Sequence, residues 1–204
     1  MTRGANAWVD MNVGDLGKVV TGKTPSTSHP EYWGGGIPFV TPGDLLDGGV
    51  SVTARTVAES ALSICKPLPR GTVLVSCIGT IGKTGILDCD VAITNQQINA
   101  IIPNPKVIDP WFLLYALLRS ADALRKSASI TTIPILNKSN FEAFDLPIAD
   151  LPEQQIIARV LFRCDTKIAA IEHEIALLDE LLRAMLEELM TGRLSAVPLV
   201  ENEA

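Results

Sequence analysis

The stretch Gly79-Thr80-Ile81-Gly82-Lys83-Thr84 carries the residue types of a phosphate-binding loop: glycines, then a lysine and a hydroxyl. A Walker A loop would make the chain a nucleotide hydrolase, its backbone amides and lysine gripping phosphate where a helix begins. The spacing fails that test. The position five residues before Gly82 must be glycine and is Cys77, and Gly85 with Asp88-Cys89-Asp90 follows, poor helix sequence that brings acid where phosphate would sit. A tight glycine turn between two strands fits better. It leaves Thr80 and Lys83 at a turn tip, where a lysine is either simply solvated or available to a polyanion.

Other chemistries fare no better. There is no Gly-x-Ser-x-Gly elbow, and Gly34-Gly35-Gly36 is not followed by a helix, as a dinucleotide fingerprint requires. Cys65, Cys77, Cys89 and Cys164 form no Cys-x-x-Cys pair, and the histidines are His29 and His173. That pattern suits neither structural zinc nor a disulfide framework, and predicts free thiols in a reducing cytoplasm. Asp44, Asp47, Asp88 and Asp90 read as solvated turn acids. The expectation is a chain with no catalytic residue, metal or cofactor of its own. Residues 1–12 lack a signal-peptide layout, and no apolar run approaches the ~18 residues of a membrane span.

What remains is recognition. Lys23-Thr24-Pro25-Ser26 and Thr94-Asn95-Gln96-Gln97 are small polar stretches at strand ends. Asn and Gln amides suit paired donor and acceptor contacts to adenine, although such loops also cap themselves. Tyr32 and Trp33 are placed either to stack on a ligand or to enter the core. Residues 1–150 carry 12 Lys/Arg against 13 Asp/Glu, and residues 151–204 carry 5 against 10. A near-neutral head argues against strong autonomous nucleic-acid binding by charge. One stretch, residues 112–140, is locally basic, with Arg119, Arg125, Lys126 and Lys138 against Asp122.

Elements must hold these groups in place. Extended runs at 13–21, 37–41, 50–53, 72–78, 91–94 and 99–102 alternate with Gly/Pro turns. Thr56-x-x-Glu59 has capping-box spacing and predicts a short helix; Asp109-Pro110 opens a longer one to about Lys126, with Trp111, Leu114, Tyr115 and Leu118 facing inward. The fold class is α+β: a mixed α/β head over residues 1–148, a helical spacer over 149–194, and a disordered tail over 195–204.

The spacer is a heptad stripe. Ile157, Leu161, Cys164, Ile168, Ile171, Ile175, Leu178, Leu182, Met185 and Leu189 alternate by four and three, the a/d seam of a left-handed coiled coil. Asp150 and Glu153 have capping-box spacing, Pro152 sits in the first turn, and Gly192 can close the helix in a left-handed cap. Such a rod needs another helix, which predicts an assembled pair. The acidic outer face (Glu172, Glu174, Asp179, Glu187, Glu188) is either solvated or a docking face.

Taken in order, these motifs resemble the specificity subunit of type I restriction-modification systems. The matching pieces are Gly22 to Ser26, Tyr32-Trp33-Gly34-Gly35, Ile37-Pro38-Phe39-Val40-Thr41 with Asp44-Leu45, and Gly71-Thr72-Val73-Leu74-Val75-Ser76. They continue with Thr80-Ile81-Gly82, Thr94-Asn95-Gln96, Leu146-Pro147, Leu151-x-Glu153-Gln154 and Thr191-Gly192. The resemblance implies a target recognition domain, similar to the small DNA-reading domain of adenine-N6 methyltransferases, followed by a coiled-coil spacer. It implies a non-catalytic subunit that selects the sequence in double-stranded DNA. Methyltransferase subunits then supply S-adenosylmethionine chemistry, and an ATP-driven endonuclease/translocase subunit supplies translocation and cleavage. Candidate DNA contacts are Lys23, Thr24, Ser26, Tyr32, Thr41, Thr80, Lys83, Asn95, Gln96, Gln97, Arg125, Lys126 and Lys138.

Three departures stand out. Typical members carry two recognition domains and two spacers; here there is one of each. Ala149-Asp150 replaces a Pro-Pro pair, and Ser129-Ile130-Thr131-Thr132 replaces a Gly-Ser-Thr-like segment. The half length predicts an antiparallel homodimer that reads a bipartite palindromic site. A starting Met1 and a full stalk favour a self-sufficient half-subunit over a piece of a longer one. An orphan half that exchanges into other complexes stays open beside it, as does, more remotely, a nucleotide-binding enzyme.

Overall fold

The structure, a computed structural model, describes residues 8–129 and 133–195. The expected disordered tail beyond Ser195 and most of the altered segment at 129–132 lie outside the described residues. In chain order the elements are β1 (Val9–Asn12), α1 (Val13–Leu16), β2 (Gly17–Thr21), β3 (Trp33–Val40), β4 (Gly49–Val50), β5 (Thr56–Val57), β6 (Leu68–Pro69), β7 (Val73–Ser76), β8 (Thr84–Leu87), β9 (Val91–Thr94) and β10 (Ile98–Pro103). There follow α2 (Pro110–Arg119), α3 (Ala121–Lys126), α4 (Lys138–Glu142), β11 (Asp145–Ile148) and α5 (Leu151–Met190). The chain divides into two compact units, Met1–Ala158 and Arg159–Ala204. None of the described helices is long and apolar enough to cross a membrane.

Among the described residues of the first unit, a five-stranded sheet has the order β2-β10-β7-β8-β4, antiparallel except for β4 beside β8. A second sheet, β5-β3-β9-β6, pairs β3 and β9 in parallel, and β1 pairs with β11. Successive strand residues face opposite ways, so β7 feeds two cores. Val73 and Val75 join Phe112, Leu113 and Leu117 of α2, whereas Leu74 joins Val40, Leu45 and Leu68 on the other face. A strand covered on both sides reads as a continuous apolar run.

Four local expectations give way to packing. Residues 13–16 are a helical turn, not strand: Val13 and Leu16 are both fully buried three residues apart, which a two-residue period would send to opposite faces. Thr56–Val57 pairs with β3, Val57 being fully buried, so the 3-10 turn starts at Glu59 with Ala58 as its N-cap. The helix opened by Asp109 breaks at Ser120 into α2 and α3, and its fully buried side includes Leu113, Leu114 and Leu117. Strand β8 occupies what reads as loop around Gly85. A Cβ there would lie 2.9 Å from Val50 Cγ2 and 3.0 Å from Leu45 Cδ2, so only glycine lets β8 sit against that layer.

Helix α5 starts as its caps predict. Asp150 Oδ1 accepts the Glu153 amide at 3.0 Å, and Gly192 (φ 71°) ends the helix with the Leu194 amide returned to Glu188 O at 3.1 Å. Forty residues span about 60 Å. Its opening turns belong to the first unit: Gln154 and Ala158 are buried, and Ile157 packs on the first core. From Arg159 onward the helix lies in the second unit. There Ile168, Ile171, Ile175, Leu178 and Leu182 are 42–58% exposed. Cys164 is exposed, Leu161 lies at the edge of that class, and Met185 and Leu189 are half-buried.

Candidate nucleic-acid interface

One end of the five-stranded sheet gathers loops from distant parts of the sequence. The registers Thr21↔Asn99, Ser76↔Ile98 and Val75↔Thr84 put the end of β2, the start of β10, the end of β7 and the start of β8 side by side. The parallel pairing Val40↔Thr94 brings the end of β3 to the same place. The loops leaving these strands carry Lys23, Thr24, Ser26, Thr41, Thr80, Lys83, Asn95, Gln96 and Gln97, and strand pairing brings them to one edge.

These loops are tied to one another. The Lys23 amide donates to Thr94 O at 2.8 Å, the Gly22 amide to Ile98 O at 3.1 Å and the Asn95 amide to Val40 O at 3.1 Å. Thr24 Oγ1 donates to Gln96 Oε1 at 2.6 Å, and Asn95 Nδ2 to Gln97 Oε1 at 2.9 Å. Gly22 is required by space: a Cβ would stand 2.1 Å from Asn95 O and 2.3 Å from Thr94 Oγ1. That Thr94 hydroxyl is buried and has no hydrogen-bond partner among the described residues. Gln96 is exposed, and its Nε2 donors have no partner among the described residues.

The Gly79–Lys83 turn closes differently from a phosphate loop. Ser76 Oγ donates to Thr80 O and accepts the Lys83 amide at 2.9 Å, and the chain continues into β8, not a helix. A phosphate loop of that type leads directly into the helix that grips the phosphate, and this turn leads into a strand, which removes the Walker A reading. Gly79 (φ 76°) and Gly82 (φ 85°) take left-handed conformations that make the turn. Beside it, Arg125 Nε donates to Ile81 O at 3.0 Å while its guanidinium pairs with Asp122. A cavity of about 330 Å³ is lined by Gly79, Thr80, Ile81, Lys83, Arg125 and Pro134. Lys83 has no acidic partner among the described residues, so this niche is positive.

Other candidates sit elsewhere. Tyr32 stands at the opposite end of β3 from Thr41, packs on a further apolar cluster built from Ile37, Phe39, Val57 and Ile93, and lies 5.5 Å from the His29 ring. Lys138 pairs with Glu142 within α4 at 3.4 Å, and Lys126 ends α3.

Two acids read as solvated are builders. Asp44 Oδ2 accepts the Thr41 amide at 2.8 Å and Thr41 Oγ1 at 2.7 Å, and Asp44 Oδ1 accepts the Ala54 amide at 3.1 Å. Asp47 Oδ1 accepts the Thr84 amide and hydroxyl at 3.0 and 2.9 Å. The Thr41-Pro42-Gly43-Asp44 spacing is a capping box and could have revealed the first; nothing local announces the second. Asp88 and Asp90 both pair with Arg70, Asp90 at 3.4 Å. Arg55 also escapes a linear reading: its guanidinium lies 3.8 Å from the Trp33 ring centre, exposed at the second sheet.

Burial favours the neutral form of three thiols, Cys65, Cys77 and Cys89. Burial pushes the Cys77 thiol up to about 11, only partly offset by Asn99, whose Nδ2 donates to Sγ at 3.2 Å. Burial likewise raises Cys65, opposed by Lys23, and Cys89, opposed by Arg70.

A mixed α/β head whose strand-end loops converge, followed by one long helix, is the architecture of a DNA-specificity module. The chain belongs to the type I restriction-modification DNA specificity domain family, whose sequence profile it matches over residues 6–180. It is 33% identical over 170 residues to the type I restriction enzyme MjaIX specificity subunit of Methanocaldococcus jannaschii, covering 79% of this chain and 38% of that one. With the MjaVIII specificity subunit of the same organism it shares 26% identity over 190 residues, 90% of this chain and 42% of the relative. It therefore spans about two-fifths of the length of these relatives. The crystal structure of a type I restriction-modification S subunit from M. genitalium superposes with a TM-score of 0.66 at 17% identity, over 92% of this chain and 47% of that one. The HsdS subunit from Thermoanaerobacter tengcongensis gives 0.60 at 20% identity, covering 92% and 46%.

Proposed function

We propose that this chain is the sequence-reading subunit of a DNA methyltransferase complex and performs no catalysis itself. The observation that carries the reading is the convergence on one sheet end of the 22–28, 41–44, 79–83 and 94–97 loops, in a chain of this family. Small amides and hydroxyls held by each other present fixed donor and acceptor patterns, the kind that distinguishes base edges in a groove. Lys23, Lys83 and Arg125 flank them and supply phosphate contacts that set register on the duplex. The near-neutral head leaves most of the phosphate grip to methyltransferase subunits, which bring S-adenosylmethionine and adenine methylation. An endonuclease/translocase subunit would add cleavage.

With one head and one spacer per chain, two copies related by a two-fold axis supply two reading modules. The exposed apolar row of α5 supports such pairing. The expected target is a bipartite palindrome with a non-specific gap. Co-expression with a type I methyltransferase subunit, followed by methylome sequencing, tests the reading. A methylated, gapped, palindromic motif that disappears when this chain is omitted supports it. Methylation independent of this chain refutes it.

A further inference from the structure

We infer that two copies of this chain pair through α5 in one antiparallel register, with Cys164 of each copy against Leu189 of the other; this rests on the paired-copy reading above and adds to it the alignment. In an antiparallel pair of helices each a position faces a d position. With Leu161, Ile168, Ile175, Leu182 and Leu189 at a, and Cys164, Ile171, Leu178 and Met185 at d, the layers become Cys164–Leu189, Ile168–Met185, Ile171–Leu182 and Ile175–Leu178. The seam is self-complementary when read backwards. From Ile168 to Ile175 the seam is isoleucine and from Leu178 to Met185 it is leucine and methionine, so each β-branched side chain meets one that is not β-branched. Ile157 takes no part, because it packs on the first core.

The alternatives fit worse. A parallel pair would set isoleucines at both a and d against themselves, a pattern that favours trimers or tetramers over two strands. Sliding the antiparallel pair back by one heptad would place Glu172 on Glu172, Glu174 on Glu174 and Asp165 on Asp179 of the second copy. Sliding it forward shortens the seam and sets Glu174 against Glu188 and Asp179 on itself. The inferred register instead brings Lys167 to Glu188 twice, and seats Glu174 beside Leu181 and Asp165 beside Leu186. Its repulsive flank is Glu172 with Asp179, also made twice, so it balances the Lys167–Glu188 contacts, whereas each shifted register carries like-charge contacts with no such offset. Glu188 also reaches Arg193 of its own chain at 3.3 Å, which leaves a shared acid between two bases. The apolar seam is about half exposed in one copy, so pairing removes a continuous oily strip from water.

Native cysteines make the register measurable. Cys65 and Cys77 are buried and Cys164 is exposed. In the inferred pair the two Cys164 residues are about 37 Å apart along the rod, far beyond the ~7 Å Cα separation a disulfide tolerates. The full chain and its Leu189→Cys and Leu182→Cys variants are sized by light scattering, then treated with oxidised glutathione, which takes the two electrons and two protons given up by each thiol pair. A dimer mass is expected throughout. Leu189→Cys should form covalent dimer at least about ten-fold faster than the other two, the gain of thiols held together over thiols meeting in solution. Adding Cys164→Ser should abolish that product. Cross-linking of the unmodified chain through Cys164 means a parallel pair, and rapid cross-linking of Leu182→Cys means the shifted register. A dimer in which Leu189→Cys gains nothing also overturns the inference. A monomer mass instead overturns the paired-copy reading itself.

Discussion

The backbone amide of Asp109 donates to Gln154 Oε1 at 2.8 Å across 45 residues of sequence. Asp109 meanwhile caps α2, its Oδ1 accepting the Trp111 and Phe112 amides, both at 3.0 Å. Gln154 is 1% exposed, and its Nε2 donates to Val107 O at 3.1 Å and Ala149 O at 2.9 Å. One side-chain amide thus fastens the first turn of α5 to the start of α2. Gln154→Ala strips three backbone groups of their partner, the Ala149 carbonyl buried and the Val107 carbonyl and Asp109 amide part-buried, at about 1–3 kcal/mol for each left unsatisfied. Allowing for partial relaxation, a loss of roughly 2–4 kcal/mol is expected. Urea unfolding would show it as a lower midpoint with unchanged slope.

Gly22 is a second pressure point, and a purely steric one. Its φ is ordinary, but Asn95 O and Thr94 Oγ1 occupy the space a methyl would need. Gly22→Ala should push the 22–28 loop off the 94–97 loop at a cost of about 1–3 kcal/mol. The change should weaken sequence-specific methylation by the assembled complex, whereas Gly36→Ala, with open space around it, should leave methylation intact. Equal activity of the two variants would refute the assignment of this edge.

The long helix and its caps were legible because each follows from a local period or a single capping residue. Asp150 and Gly192 needed no tertiary knowledge. A turn between two strands was legible at 79–84, but β8 is missing from the extended runs because Gly85 interrupts its apolar pattern until Val50 and Leu45 are seen against it. The candidate loops announced themselves by composition, but their convergence was invisible: it depends on β2, β10, β7 and β8 pairing across as many as 78 residues, as the Thr21–Asn99 side-chain bond does at 2.7 Å. Asp47 looked solvated for the same reason, since Thr84 lies 37 residues away.

Cys77 gives a pH signature. Burial raises its folded-state value from the ordinary 9.0 to about 11, so folding favours the neutral thiol. The stabilisation is fully present below pH 9 and is lost as pH rises towards 11, where the unfolded chain releases a proton that the folded chain retains. Stability should fall over that window, and Cys77→Ala should flatten the fall. Comparing unfolding midpoints of the two chains between pH 8 and about 11 checks it; a fall of identical size in both would show that other groups control the alkaline limb.

Lys83 and Arg125 share the cavity at the Gly79–Lys83 turn. If Lys83 contacts a backbone phosphate, its removal should weaken DNA binding by the methyltransferase complex evenly across sequences. The slope of log affinity against log salt should then become shallower by about 1. Lys83→Arg should restore the slope, because only charge is needed there. A change in the methylated motif itself would instead mark Lys83 as a base-reading residue.

Ile171 and Ile175 are adjacent layers of the α5 seam, 42% and 53% exposed in one copy. Converting both to Asp removes two apolar side chains and adds two charges to a surface that pairing must dry. Each aliphatic lost costs roughly 1.5–3 kcal/mol when buried, and a two-fold interface counts each change twice. The carboxylates add desolvation and repulsion on top. Because both positions are solvent-facing within a single copy, the head should keep its unfolding midpoint. The expected outcome is a folded monomer at micromolar concentration by light scattering, with palindromic methylation abolished. A double variant that remained dimeric would place the contact between copies somewhere other than this helix.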